Sequence, residues 1–511
     1  MSDVLEEIVA QANSHPAQRA VRDLERDLSY SSLIEEVARL ASGLVDEGVA
    51  EGDRVALFLS NSVDFVVSAL ACLWVGAAFV PLSTSDPLAR IETILRDSQP
   101  ALAVAHDSST DDLLPSSVVT TVRLSSLTQR RNEVPRVSPS AHRVAYVIYT
   151  SGTTGTPKGV QIGASAFGAA VRSTAEAVGF TSSTTTLCVS PFHFDGSYAN
   201  LFPTLTSGGS LVIRPRESLL FPRTFFSTVV AEGVTMSGFT PSYLRLLLSD
   251  SKLANLSTST LTTIALGGEA VHATDLESLW SSVPSLRVFN RFGPTETTIA
   301  VTNFEVTPEV IKERIVPMGR PHPDVDFYLV DEFGEVIEES NRTGELYIGG
   351  VQLMEGYLSA PELTAQVLRG DVVLGKLLYR SGDLVYRDDD GRYVYVDRAD
   401  RVVKRSGVRI SLLEMNDAMK GLPSVVDAAC VAYVDVGVTG IVAFVVASRP
   451  LTELELRQGL LRFLPDTMMP DRVHFVEALP LNRSNKIDEI QLLSSIGLGA
   501  SVADSPPTQS I

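Results

Sequence analysis

Cysteine is scarce in this chain of 511 residues, whose three thiols, Cys72, Cys188 and Cys430, lie far apart. They form no CxxC pair, so neither a disulfide framework nor a zinc ribbon is predicted, and we expect a reducing, cytoplasmic location. Positive charge is also in short supply: 42 Lys and Arg face 61 Asp and Glu, a net charge of −19. Because phosphate-rich partners attract clustered positive charge, we expect neither nucleic acid nor a membrane as partner.

Long hydrophobic runs are almost absent as well. Residues 65–82 carry no charge and approach the length of a membrane span. The Gly-Ala-Ala sequence at 76–78 divides them into an alanine-rich helical half and a short strand-like half, which argues against a spanning helix. Acidic Asp3, Glu6 and Glu7 stand where a signal peptide would carry positive charge. We therefore predict a soluble protein.

The periodicity of the first half predicts alternating helices and strands. Residues 33–44 have helical spacing, 54–59 read as a buried strand and 64–73 return to helix. Such alternation is typical of α/β proteins with largely parallel sheets. From residue 344 the pattern changes to short strands and turns, with Asp-Asp-Asp-Gly at 388–391 predicting a hairpin. A charge-dense segment at 397–409 precedes a small α+β unit of about 100 residues.

The sharpest local signal is AYVIYTSGTTGTPKGV at 145–160. An apolar strand runs into a loop of Ser, Thr and Gly that ends in Lys158, and a helix-like stretch follows. Backbone N–H groups, hydroxyls and one ammonium suit a polyphosphate. The loop is no Walker A motif, because Pro157-Lys158-Gly159 stands where Gly-Lys-Ser/Thr is required. A flexible surface loop is the alternative interpretation.

These residues resemble the phosphate loop of the adenylate-forming superfamily, which comprises acyl-CoA synthetases, luciferases and the adenylation domains of nonribosomal peptide synthetases. The resemblance covers nearly the whole chain, in family order: LWVGAAFVPLSTSDP (73–87), FHFDGSYANLFPTLTSGGSLVI (192–213), NRFGPTETT (290–298), GELYIGGVQLMEGYL (344–358), YRSGDL (379–384) and LNRSNKID (481–488). It implies an α/β protein with a large N-terminal domain of parallel or mixed sheets and helices (1–397), a hinge (398–400) and a small mobile α+β C-terminal domain (401–497). We expect residues 498–511 to form a disordered tail.

The resemblance also implies an ATP site. It places Mg²⁺ on Glu296, adenine against Phe292, the ribose hydroxyls on Asp383 and the hinge at Asp400. It makes Lys158, Glu296 and Lys486 catalytic, with Lys486 as the cation between the substrate carboxylate and the nucleotide. The full set of ATP-binding residues it implies is Thr150, Ser151, Gly152, Thr153, Thr154, Gly155, Lys158, Gly268, Glu269, Arg291, Phe292, Gly293, Thr295, Asp383 and Arg398.

For the substrate, Asp195 matches the carboxylate with which amino-acid-activating members pair the substrate ammonium; a helix N-cap is the alternative role. Arg291 stands where the family is usually small or apolar, and a guanidinium suits a second carboxylate. We therefore favour an acidic, aspartate-like or β-amino acid, with a small neutral amino acid as the alternative. The implied pocket residues are Asp195, Gly196, Ala199, Gly238, Ala265, Gly267, Arg291, Ile299, Ala300 and Lys486.

The predicted enzyme is an ATP- and Mg²⁺-dependent ligase that forms an aminoacyl-AMP and loads the phosphopantetheine thiol of a separate acyl or peptidyl carrier protein. The basic residues Arg401, Lys404, Arg405 and Arg409 are a candidate receiving surface for an acidic carrier, with ordinary surface ion pairs as the alternative. A CoA or amide ligase on the same fold, or a degenerate non-catalytic binding protein, are the competing functions.

Overall fold

The computed structural model describes residues 3–106, 114–128, 136, 143–150, 157–250, 253–313, 315–370, 375–398, 402–405, 408–435, 438–480 and 487–498. Its α-helices are α1 (Val4–Ser14), α2 (Tyr30–Asp46), α3 (Val63–Val75), α4 (Leu88–Ser98), α5 (Leu124–Thr128), α6 (Ala164–Val178), α7 (Tyr198–Thr206), α8 (Arg216–Leu219), α9 (Pro222–Glu232), α10 (Pro241–Leu248), α11 (Ala273–Ser282), α12 (Pro361–Val367), α13 (Leu412–Lys420), α14 (Glu453–Leu460) and α15 (Glu489–Ser495).

The strands fall into five sheets. They are β1 (Arg19–Arg22), β2 (Asp27–Ser29), β3 (Arg54–Phe58), β4 (Ala78–Pro81), β5 (Leu102–Ala105), β6 (Thr121–Arg123), β7 (Val144–Thr150), β8 (Lys158–Gly163), β9 (Thr185–Cys188), β10 (Ser210–Ile213), β11 (Met236–Phe239), β12 (Thr263–Gly267), β13 (Arg287–Phe292), β14 (Thr302–Val306), β15 (Val325–Val330), β16 (Gly344–Gly350), β17 (Gly356–Tyr357), β18 (Leu368–Arg369), β19 (Leu378–Arg387), β20 (Tyr393–Arg398), β21 (Val402–Arg405), β22 (Val408–Ser411), β23 (Val425–Asp435), β24 (Val438–Ala447) and β25 (Arg472–Phe475).

Two mixed sheets with parallel centres form the large N-terminal part. The first has the order β14-β13-β12-β11-β9-β10-β1-β2 and is parallel from β13 to β1. The second has the order β17-β8-β7-β4-β3-β5-β6 and is parallel from β7 to β6. Helices α2, α3, α6 and α7 share one hydrophobic core with strands of both sheets. They are therefore buried on more than one side, as the apolar sequence of α3 already indicates.

The remaining sheets follow along the chain. Strands β15, β16, β19, β18 and β20 form an antiparallel sheet, in which Asp388–Gly391 makes the predicted hairpin turn and Gly391 adopts φ +74°. After it come the hairpin β21-β22 and the sheet β23-β24-β25, which packs with α13 and α14 on a small core of its own. The predicted α/β class, with a large N-terminal sheet domain and a smaller C-terminal domain, is confirmed. The exact domain limits and the hinge stay predictions.

Two local expectations have clear outcomes. The uncharged stretch 65–82 comprises most of α3 followed by β4, because Gly76 takes φ +79° and ends the helix by donating its N–H to the carbonyls of Cys72 and Leu73. None of the helices in the described ranges combines the length and the hydrophobicity that crossing a bilayer requires. The helix-like stretch that was expected after the phosphate-loop motif is α6, which begins at Ala164. Strand β8, which was not predicted, lies between the loop and this helix and pairs antiparallel with β7. The expected tail lies outside the described residues apart from Leu498.

Candidate active site

A cavity of about 1850 Å³ opens at the carboxyl ends of the parallel strands of both large sheets. Residues that end or follow β4, β7, β11, β12 and β13 line it, and elements of the C-terminal part close its far side. Ligands of open parallel sheets bind at this edge, because strand ends there leave backbone groups and loops free to contact them. The cavity is large enough for a nucleotide and a second small molecule.

Most described residues of the predicted ATP set meet in this cavity. Its wall includes Thr150, Gly268, Glu269, Arg291, Phe292, Gly293, Thr295 and Asp383. The loop residues Ser151, Gly152, Thr153, Thr154 and Gly155, the side chain of Arg398, and both Asp400 and Lys486 lie outside the described residues. Their predicted roles stay predictions.

Strand pairing and burial fix the positions of the residues that are predicted to bind the nucleotide. Asp383 is fully buried on β19, and its backbone N–H donates to Ser381 Oγ at 3.0 Å. Glu269 accepts from the N–H and the hydroxyl of Ser242 at 2.8 and 2.6 Å, which ties the end of β12 to the start of α10. Phe292 lines the cavity and also packs in a hydrophobic cluster with Met318. The core-filling and adenine-stacking interpretations of this ring are therefore compatible.

Glu296 is a buried carboxylate close to the start of β8. Its Oε1 accepts from the Tyr357 hydroxyl at 2.7 Å, and Lys158 Nζ lies 5.1 Å from the centre of the same tyrosine ring. No group of three acidic, histidine or cysteine side chains in the described residues could hold a metal ion unaided. Mg²⁺ usually binds one or two carboxylates together with substrate phosphates, so a single carboxylate that shares Tyr357 with Lys158 is compatible with this ion.

Asp195 opens a short 3₁₀ turn that leads into α7. The N-cap position of that turn is Phe194, and α7 is preceded by Ser197 with no side-chain cap, so the alternative role of Asp195 as a helix N-cap is not seen. Tyr146 and Tyr198 lie behind it: burial, and then the charge of Asp195, raises the pKa of both hydroxyls well above the usual value. The carboxylate thus faces the cavity from an aromatic, poorly hydrated wall.

Arg291 is the penultimate residue of β13, lines the cavity and is only 8% exposed. Its Nε donates to Asn303 Oδ1 at 2.8 Å and its Nη1 to Asn200 Oδ1 at 3.2 Å, while Nη2 is buried without a hydrogen-bond partner. Burial lowers the pKa of the guanidinium to about 10. No carboxylate of the described residues pairs with it, so the alternative of an internal Glu or Asp partner finds no support.

The described residues predicted for the substrate pocket divide into two groups. Asp195, Gly196, Gly238, Ala265, Gly267, Arg291 and Ile299 line the cavity, whereas Ala199 and Ala300 lie in the core between the sheets. A Cβ at Gly238 would overlap the amide of Asn200, and one at Gly267 would come within 3.1 Å of the Arg291 carbonyl oxygen. These glycines therefore make room for neighbouring groups of the protein itself, namely the amide of Asn200 and the backbone and side chain of Arg291.

Asn200 and Asn303 are site residues that the motifs did not indicate. Asn303 lies opposite Arg291 on β14, and Asn200 comes from α7, 91 residues away from Arg291 in sequence. Strand pairing of β13 and β14 would have suggested the first contact; nothing in the sequence suggested the second.

In the basic cluster, the one side chain that the structure describes, Arg405, points inward. Its Nη1 lies 3.1 Å from Asp471 Oδ2, and its Nη2 donates to the carbonyls of Thr467 and Met469. This fits the alternative of ordinary ion pairs. The side chains of Arg401, Lys404 and Arg409 lie outside the described residues.

The cavity at the strand ends thus brings together the described residues predicted for the nucleotide and the charged side chains Asp195 and Arg291. The AMP-binding enzyme profile matches residues 8–358, and the profile of its C-terminal domain matches residues 414–486. The chain therefore belongs to the AMP-binding enzyme family, and the homologues it matches are adenylate-forming ligases.

Individual relatives agree with this assignment. The chain is 33% identical over 94% of its length to a dimodular nonribosomal peptide synthase of Bacillus subtilis, of which it spans only 21%. It is 30% identical to zwittermicin A synthase ZmaJ of Bacillus cereus, covering 94% of this chain and 93% of the other. An artificially fused adenylation–PCP di-domain from Klebsiella oxytoca has the same fold, with a TM-score of 0.83, 22% identity and 98% coverage of both chains.

Proposed function

We propose that this enzyme activates an amino acid that carries a second anionic group, such as an aspartate-like α- or β-amino acid, as its acyl-adenylate. The acyl group then passes to the phosphopantetheine thiol of a carrier protein. Similarity to nonribosomal peptide synthases and to an adenylation–PCP fusion supports the carrier as acceptor.

The observation that carries the substrate assignment is the guanidinium of Arg291. It is buried at the cavity wall, its Nη2 has no partner, and no carboxylate of the described residues neutralises it. An uncompensated buried charge is costly. An anion that enters the cavity therefore binds favourably, because it provides the counter-ion that the described residues do not give Arg291. A planar guanidinium also matches a carboxylate in shape.

Asp195 supplies the opposite charge in the same cavity. A substrate with one ammonium and one extra carboxylate would satisfy Asp195 and Arg291 together, and its reacting carboxylate would remain free to face the nucleotide. Two charged anchors also fix the orientation of the substrate, which lowers the entropy cost of bringing it to ATP.

The chemical steps follow from this placement. Asp383 and the wall around Gly268 and Phe292 would hold the nucleoside, and Glu296 would hold Mg²⁺ together with the phosphates, where the ion offsets their charge. The substrate carboxylate attacks the α-phosphate and pyrophosphate leaves. Lys158, and Lys486 by its predicted role, place positive charge beside the approaching anions. The pantetheine thiol then attacks the acyl carbon and releases AMP.

Substrate-dependent ATP–pyrophosphate exchange tests this proposal with a panel of acidic and neutral α- and β-amino acids. We expect strong exchange with a dicarboxylic amino acid and, in Arg291→Ala, a fall in kcat/KM of about a hundredfold or more, since truncating one partner of a buried charge pair costs about 2–5 kcal/mol. Arg287→Ala is the matched control, because this arginine of the same strand pairs with Glu305 on the exposed side.

Exchange with neutral amino acids alone would retain the enzyme class and overturn the substrate. No exchange with any acid would favour the non-catalytic alternative. Discharge of the adenylate by holo-carrier protein, CoA or a free amine, measured in parallel, separates the three possible acceptors.

A further inference from the structure

Two other arginines whose described side chains are buried, Arg143 and Arg90, have carboxylate partners. Arg143 donates to Asp3 at 2.9 Å with 5% of its side chain exposed, and Arg90 donates to Glu414 at 2.8 Å with 9% exposed. Arg291 is as deeply buried, yet both of its hydrogen-bond acceptors are amide oxygens. An amide accepts a hydrogen bond and fixes the geometry without cancelling the charge. The positive charge of Arg291 therefore remains available to the cavity.

The orientation of these amides is determined by the donors around them. A guanidinium only donates, so Asn303 must present Oδ1 to Arg291, and its Nδ2 then donates to His322 Nε2 at 2.9 Å and to Thr174 Oγ1 at 3.3 Å. His322 Nε2 must accept, which leaves the proton on Nδ1, and that group donates to Gln352 Oε1 at 3.1 Å. In this hydrogen-bond network each side chain therefore donates to the next one, from Arg291 through Asn303 and His322 to Gln352.

Gln352, the last side chain of this hydrogen-bond network, binds backbone carbonyl groups. Gln352 Nε2 donates to the carbonyls of Thr297, Thr298 and Ala300 at 3.3, 3.2 and 2.7 Å. In this loop Thr298 and Ile299 have positive φ angles of 60° and 68°. Such angles are costly for residues with a Cβ, so the loop depends on surrounding contacts such as these. The guanidinium is thus held by groups that add no negative charge.

We propose that Asn200 and Asn303 form a neutral cradle that positions Arg291 with Nη2 toward the cavity and that the absence of charge on these two amides sets the selectivity for a dicarboxylic substrate. This inference rests on the proposed function and names the residues that produce it. Both are positioning residues, because they act through Arg291.

If the cradle acts as proposed, a negative charge at position 200 and a truncation there should have different effects on the selectivity for the dicarboxylic substrate. Asn200→Asp retains an acceptor for Nη1 but gives Arg291 an internal counter-ion. The incoming anion then meets a guanidinium whose charge is already neutralised by the new carboxylate. Asn200→Ala removes the acceptor and leaves the charge of Arg291 intact. A merely structural role would make Asp, the closer mimic, the milder change.

The experiment measures ATP–pyrophosphate exchange with a dicarboxylic amino acid and with its side-chain amide, for example aspartate and asparagine. We expect the wild type to favour the acid, Asn200→Asp to lower the acid-to-amide ratio of kcat/KM by about a hundredfold, mainly through KM for the acid, and Asn200→Ala to keep the acid preferred. Asn303→Asp is the second variant if Asn200→Asp does not fold, and thermal unfolding reports on both.

The outcomes separate the two claims. If the wild type prefers the acid and every folded Asp variant keeps that ratio, the cradle is overturned while the proposed function stands. If Asn200→Ala loses the preference for the acid as fully as Asn200→Asp, the neutrality of the amide is not the determinant and the inference also fails. A wild type without preference for the acid overturns the proposed function itself.

Discussion

Two side chains of opposite charge, Asp195 and Arg291, line the same cavity, and we propose that they bind the substrate. Asp195 lies close to the buried tyrosines Tyr146 and Tyr198, and burial together with the charge of Asp195 raises the pKa of both hydroxyls. Arg291 has only amide acceptors. In water each charge would be well solvated, and under our proposal a substrate group of opposite sign replaces that solvation in the cavity.

At the residue scale we predict that Asp195→Asn abolishes the preference for the amine of the substrate. The measurement compares exchange with an amino acid and with the same acid lacking the amine. Wild type should favour the amino acid strongly, and the variant should lose about two orders of magnitude with it, because a buried ammonium without a partner is costly. Equal losses with both acids would show that Asp195 supports the fold and does not bind the amine.

At the element scale, strand β13 and its neighbour β14 bring Arg291 and Asn303 together, and the loop after β13 is held by Gln352. His322 lies between them and is 5% exposed. Burial, with a further contribution from the charge of Arg291, lowers the pKa of His322 to about 4. At neutral pH the ring is uncharged, as its acceptor role toward Asn303 requires.

The second prediction concerns pH. An unfolded chain protonates His322 near pH 6.5 and the folded protein only near 4, so the unfolded state binds more protons between these values and stability falls as pH falls. Between about pH 7.5 and about pH 5 this histidine should contribute a loss of about 2 kcal/mol in the free energy of unfolding. Urea unfolding of wild type and His322→Gln at both pH values isolates the contribution.

His322→Gln is suitable because a carboxamide also accepts from Asn303 and donates to Gln352. An equal loss of stability in both proteins would contradict the assigned protonation state.

At the scale of the whole molecule, a buried ion pair joins the two parts of the chain. Arg90 of α4 donates to Glu414 of α13 at 2.8 Å and lies 3.3 Å from Asp86. Because these elements belong to the large N-terminal part and the small C-terminal part, rotation about the predicted hinge would break the pair. Removing the guanidinium leaves the carboxylates of Asp86 and Glu414 without its positive charge, at a cost of about 3–5 kcal/mol.

The third prediction is that Arg90→Ala depopulates this arrangement of the two parts. A distance distribution between spin labels on α4 and α15 should broaden or shift in the variant. Arg96→Ala is the control, because its pair with Glu92 on the same helix is exposed and contributes little. An unchanged distribution in Arg90→Ala would show that other contacts hold the arrangement.

Much of the architecture was predictable from local pattern. The helix over 33–44, the strands over 54–59 and 145–149 and the hairpin at 388–391 were indicated by periodicity and turn residues, and all four are present. Strand β8 was missed because KGVQIG is short and follows a loop that already explained its lysine. The ordered motifs also indicated part of the described cavity wall, since they mark strand ends that meet there, whereas the rest of the wall comes from segments outside the motifs.

The amino-acid sequence by itself determined the fold class, the family and the presence of an unusual arginine at position 291, because each depends on residue type and local order. Only the tertiary structure decided what surrounds that arginine. Gly238 is small to admit Asn200, Asn303 faces Arg291 across two strands, and no described carboxylate reaches the guanidinium. Hydrogen-bond partners come from elements distant in sequence, and whether a buried charge is neutralised depends on their placement in space, which local patterns do not encode.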